Sequence, residues 1–138
     1  MISNSNDNDL TDLIKEWYRF AVMDLESANY LYNMHPKPLE IICYHCQQSA
    51  EKMLKGFLIS NGIDAPKTHD LSLLCDMCIK IKNNFQQLYD ICEFLTQYGV
   101  QPRYPNEMEV LEEDADKALQ SAQEMVEFFE SQGIKLNK

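Results

Sequence analysis

Cations are scarce in this chain: 12 Lys and Arg stand against 22 Asp and Glu, a net charge of −10 over 138 residues. A module that grips duplex nucleic acid needs the opposite sign or a strong basic patch. Duplex DNA is therefore not expected as a ligand, though a local basic pocket survives the argument. Long apolar runs are also missing. None approaches the roughly 20 residues that span a bilayer, so no membrane insertion is expected. The opening MISNSNDNDL is polar and acidic and does not read as a signal peptide, which points to a cytoplasmic protein. Only four glycines occur, and no segment alternates apolar and polar residues for long enough to make a strand. A Gly-rich phosphate loop, an H-E-x-x-H helix and a nucleophile elbow are all lacking, which removes several common enzyme classes.

What remains suits one domain. Its hydrophobic residues make up 45% and its charged residues 25%, ordinary values for a globular fold. A chain of this length buries about two thirds of its unfolded surface and needs no staples. The five cysteines are an odd number, so reduced thiols fit better than a disulfide framework. Cys43-x2-Cys46 and Cys75-x2-Cys78 could in principle hold zinc. Both pairs lie inside apolar helical patterns, however, without the turns that let a zinc knuckle fold back. They read as core thiols on one helix face, and no metal or cofactor is expected.

Helical periodicity fills most of the chain. Residues 1–8 read as a disordered start, 9–133 as one helical domain and 134–138 as a tail. A first helix is expected from Asp9 or Thr11 to about Met34, with the stripe Leu10, Ile14, Trp17, Ala21, Asp24, Ala28, Leu31. Asp24 is a carboxylate in an apolar seam. It is either solvated at the edge or half-buried and in need of a partner. Pro36 and Pro38 separate this helix from a second, about Leu39–Ser60, closed by Asn61-Gly62. Its core face is Cys43, Cys46, Ala50, Met53 or Leu54, and Phe57. Its polar face is His45, Gln48, Lys52 and Lys55, and Glu51 is spaced to pair with Lys55.

Shorter helices are expected at about Asp70–Lys82 and Phe85–Tyr98. The stretch Gly99-Val100-Gln101-Pro102-Arg103-Tyr104-Pro105-Asn106 cannot continue a helix. Asn106 and Glu109 resemble a capping box for a last helix, about Glu107–Ser131, capped by Gly133. Its stripe is Leu111, Ala115, Ala118, Ala122, Met125, Phe129. Residues 106–130 carry nine acids and one lysine, mostly a solvated face. The pattern predicts an all-α fold, an up-and-down bundle of four to five helices crossing at roughly 20°.

Three features could carry chemistry. The first is the polar face with Lys52 and Lys55. The second is His69-Asp70 at a helix start, where free backbone N–H groups favour an anion, although Asp70 could equally cap that helix. The third is Arg103-Tyr104 between two prolines, where a stiff loop would make arginine a phosphate or carboxylate clamp. Arg103 could instead pair with Asp24 or with an acid of the last helix.

Four pieces, taken in order, resemble a HEPN domain, the higher-eukaryote and prokaryote nucleotide-binding family. They are Trp17-x3-Ala21-x2-Asp24-Leu25-x2-Ala28, the run Cys43-Tyr44-His45-Cys46-Gln47-Gln48-Ser49-Ala50-Glu51-Lys52-Met53-Leu54-Lys55, then Thr68-His69-Asp70-Leu71, and Arg103-Tyr104-Pro105. The resemblance implies a helical homodimer with a polar cleft around Arg103. It also implies a nucleotide or RNA ligand and a separate minimal nucleotidyltransferase partner, as in toxin–antitoxin-like pairs. Ligand-binding candidates are then Arg103, Tyr104, His69, Asp70, Lys52, Lys55 and Asp24. Some relatives are metal-independent RNases with an Arg followed four to six residues later by His. Here no His follows Arg103 in that window, so no catalytic residue is assigned. A binding module is the expected function. An RNase toxin using Arg103 and His69 is the alternative, and a pure interaction scaffold the third.

Overall fold

In the computed structural model, residues 2–100 and 109–136 are described, with side chains from Asn8 onward. Among them are five α-helices and no strand: α1 (Ile2–Leu31), α2 (Leu39–Ser60), α3 (Leu71–Ile81), α4 (Tyr89–Leu95) and α5 (Glu112–Ser131). Short 3-10 turns at Asn83–Leu88 and Thr96–Tyr98 flank α4. The fold is the expected all-α bundle. Its centre is α2, which packs against α1 most extensively and also against α3, α4 and α5.

The reason lies in the composition of α2. Ile42, Cys43, Cys46, Ala50, Met53, Leu54 and Leu58 are essentially inaccessible. They cover more than one face, so several helices can be received at once. An aromatic cluster closes one end of the core. Phe57 and Phe85 lie 4.2 Å apart between ring centroids, and Phe129 meets Phe85 at 5.5 Å and Tyr18 at 6.1 Å. Ser49 donates a 2.7 Å hydrogen bond to the Ala21 carbonyl, fixing α1 on α2 where both backbones approach closely. All five cysteines are free and buried, and Cys78 lies 3.8 Å from the Leu54 carbonyl, within reach of a weak S–H bond.

The boundaries differ from the sequence reading in three places. First, α1 begins at Ile2 rather than near Asp9, because extending a formed helix costs far less than nucleating one. Second, the segment 83–98 is not one helix but a 3-10 turn, α4 and a second 3-10 turn. The Asn83-Asn84 pair favours tighter local turns there. Third, α5 starts at Glu112. Asn106 lies outside the described residues. The capping that it was expected to supply is instead given by Asp114, whose side chain accepts from the Leu111 N–H at 2.9 Å. Leu111 consequently stands outside the helix and half exposed, whereas Ala115, Ala118, Ala122, Met125 and Phe129 are buried. Gly62 takes φ +77° at the end of α2, and Ile63 N–H then reaches back to the Leu58 carbonyl at 3.0 Å. No helix among the described residues is long and apolar enough to cross a membrane.

Candidate functional site

The polar face of α2 builds two acid–imidazole clusters. In one, Asp24 of α1 is held between two residues of α2. His45 Nδ1 lies 2.9 Å from Asp24 Oδ1, and Lys52 Nζ lies 2.5 Å from Asp24 Oδ2. The Asp24 side chain is only 12% exposed. It is the half-buried acid with a partner, and both its oxygens are engaged. The spacing 45–52 on α2 is two turns, so His45 and Lys52 present to the same strip of α1.

In the other cluster, Glu51 is the centre. It is buried, and three groups converge on it. His69 Nδ1 is 2.8 Å from Oε1, Lys55 Nζ is 3.1 Å from Oε2, and Gln47 Nε2 donates to Oε1 at 3.3 Å. Gln47 also donates to the His69 carbonyl at 3.0 Å, and accepts from Gln48 Nε2 at 2.7 Å. Lys55 is buried with its acid, but the His69 side chain is 64% exposed. An ionised carboxylate can only accept, so Nδ1 is the protonated nitrogen of His69 and Nε2 carries the lone pair towards solvent. The same logic applies to His45.

Thr96 and Gly99 wall this second cluster. The Thr96 hydroxyl accepts from the Leu71 N–H at 2.9 Å and stands 3.4 Å from the His69 carbonyl. A Cβ on Gly99 would come within 3.2 Å of both Gln47 Nε2 and His69 Cβ. Glycine is what lets the chain pass this close. Asp70 is drawn elsewhere. Its carboxylate accepts from Ser72 N at 3.0 Å and Leu73 N at 3.2 Å, and so caps α3. Asp70→Ala is expected to lower stability by about 1 kcal/mol in urea melts, the usual worth of such a cap. A loss below a few tenths would remove that role.

Of the sequence candidates, Asp24 and Lys52 are therefore together, Lys55 and His69 are together, and Asp70 is apart. Arg103 and Tyr104 lie outside the described residues. Sequence reasoning noticed Glu51 only as the partner of Lys55 and gave Gln47 no role. The signal for Glu51 was its place between the two polar strips of α2, which a single-face reading passes over. Among the described residues no group of three or more His, Cys, Asp and Glu is placed to hold a metal ion.

The sequence matches the HEPN domain family over residues 14–132, and the chain belongs to that family. Two solved structures share its fold. The crystal structure of TT1696 from Thermus thermophilus superposes with a TM-score of 0.70 at 23% identity, covering 86% of this chain and 96% of that one. ST0689, an archaeal HEPN homologue, gives 0.67 at 27% identity with the same coverage. No curated protein matches the chain.

Proposed function

We propose that this HEPN protein binds the phosphate of a nucleotide or of single-stranded RNA, with His69 and Arg103 as the contacting residues. The supporting observation is the Glu51–His69 pair: an imidazole mostly in solvent, tethered at one nitrogen by a buried acid. A tether of this kind aims the other nitrogen without spending it on the protein. Arg103 follows Val100 by three residues, so backbone lengths alone bound their separation to about 11 Å. Val100 in turn adjoins Gly99, which touches the cluster. In this reading Arg103 supplies the bidentate charge and Tyr104 a flanking ring or hydroxyl. Lys55 and Lys52 neutralise Glu51 and Asp24 instead of touching ligand. HEPN membership supports the remaining parts: a cytoplasmic homodimer working with a separate minimal nucleotidyltransferase as a toxin–antitoxin-like pair. Co-purification of the two proteins after co-expression tests that part, and separate elution would count against it.

The binding test is a salt series with a labelled RNA oligomer in EDTA. Arg103→Ala is expected to weaken binding at least tenfold and to flatten the slope of log K against log salt by about 0.7, the release expected for one lost phosphate contact on a single strand. Equal binding by both proteins would sink the reading. The Glu51–His69 pair also favours a second reading, a metal-independent RNase. A carboxylate-oriented imidazole is a competent acid–base group, and an arginine stabilises charge on the phosphate. Cleavage in the same tubes, lost in His69→Ala and Arg103→Ala, would select it. Failure of every nucleotide and RNA to raise the melting temperature would leave the scaffold alternative, since a ligand specific to the folded state must stabilise it.

A further inference from the structure

The helix α1 is apolar on two faces. One face, with Tyr18, Ala21, Val22, Leu25 and Ala28, is buried on the rest of the bundle. The other carries Leu13, Trp17, Phe20, Met23, Ser27 and Tyr30, spaced by four, three, three, four and three residues. That spacing keeps all six on one stripe about four turns long. Leu13, Phe20 and Met23 are nearly half exposed, and Tyr30 is 78% exposed. Side chains of this size in one contiguous stripe mark an interaction surface.

Two shallow grooves flank the stripe. One, of about 220 Å³, is lined by Leu13, Glu16, Trp17, Phe20 and Lys52. The other, of about 520 Å³, is lined by Met23, Glu26, Ser27, Tyr30, Leu31 and His45. The two sets are related by reversal about the point midway between Phe20 and Met23. Reversal sends Phe20 to Met23, Trp17 to Glu26, Glu16 to Ser27 and Leu13 to Tyr30. A two-fold axis through that point therefore lays each groove of one copy on the opposite groove of another. Isologous pairing requires this self-complementarity.

Charge favours the same arrangement. Arg19 neutralises Glu16 at 2.5 Å and Asp24 neutralises Lys52 at 2.5 Å, so the flanks of the stripe are close to balanced. Lys15 stands at one end and Glu26 at the other. Antiparallel pairing brings these opposite charges together, whereas parallel pairing would stack like on like. The outer face of α5, with Glu112, Glu113, Asp116, Glu124, Glu127 and Glu130 against Lys117, would repel its own copy.

We propose that the outer stripe of α1 is the surface on which a second copy of this chain docks, antiparallel, about the Phe20–Met23 midpoint. This rests on the dimer reading above and specifies its surface. The second copy's Leu13 and Trp17 enter the larger groove and cover His45, so that the Asp24–His45–Lys52 cluster is closed to water only in the dimer.

Light scattering on the wild-type chain at micromolar concentration is expected to give twice the chain mass. Phe20→Asp combined with Met23→Glu is expected to give the single mass with an unchanged circular dichroism spectrum, since both side chains lie outside the core. For the register, Glu16→Cys mixed with Ser27→Cys should form an intermolecular disulfide under mild oxidation that neither forms alone. The native thiols are buried and do not compete. A monomeric wild type overturns both the dimer and its surface. A folded double variant that stays dimeric, or cross-linking by Glu16→Cys alone, overturns the surface and leaves the dimer.

Discussion

Glu51→Ala is expected to destabilise the bundle by about 3–5 kcal/mol, the usual result of removing one partner from a buried ion pair. Lys55 has 7% of its surface exposed, so its ammonium would be left in the interior without its acid. Gln47 would lose an acceptor and His69 its tether. Against a typical total of about 5–15 kcal/mol this is a large share. Urea unfolding of the variant measures it directly. The double variant Glu51→Gln, Lys55→Met is expected to recover most of the loss, because no unpaired charge is left behind. A loss under about 1 kcal/mol in Glu51→Ala would show that Lys55 escapes to water, and that the cluster is softer than its geometry. His69 links the result to function. RNA binding should weaken in Glu51→Gln even where stability is recovered, because the imidazole is no longer aimed.

Alkaline pH is expected to unfold the protein below about pH 12. Burial pushes the Cys43 and Cys78 thiols up to about 12 and raises Cys46 as well. Cys92 is raised first by its hydrogen bond with Cys75 and then by burial. Burial also lifts Tyr18 and Tyr98 to about 12. In the unfolded chain thiols ionise near pH 8.5 and tyrosines near 10, roughly. Above those values the unfolded state gives up protons that the folded state keeps. Stability from these groups is therefore whole below about pH 8.5 and is lost as pH rises towards their folded values. Each thiol contributes a slope of about 1.4 kcal/mol per pH unit, so Cys43, Cys46 and Cys78 together remove about 4 kcal/mol per unit. Circular dichroism and Trp17 fluorescence across the alkaline range give the midpoint. Cys46→Ala with Cys78→Ala should flatten the slope, whatever it does to the starting stability. A native spectrum persisting beyond pH 12 would mean that these thiols ionise inside an intact fold.

The limits of sequence reading show in particular residues. Cys43, Cys46, Ala50 and Phe57 stepped along one face and are buried together, because helical spacing is a local property that packing here respects. The stripe of α1 was legible too, but shifted. Ala21 and Ala28 are fully buried, while Leu10 and Trp17 lie towards the outer face. A helix with two apolar faces gives one periodicity and two possible centres, and only the position of α2 chooses between them. The two clusters needed still more. Glu51 meets His69 across 18 residues and Asp24 meets Lys52 across 28. No local rule relates such pairs.

Residue types at short, regular spacing were thus enough to reach the helices, their order, the all-α class and the HEPN membership. Other matters depended on how the helices came together: which acid serves which histidine, that Asp70 caps α3 in place of joining a site, and that α1 carries a second, outward stripe. Those are questions of distance between segments far apart in the chain. They are settled only when burial of apolar faces fixes how the helices rotate about their own axes.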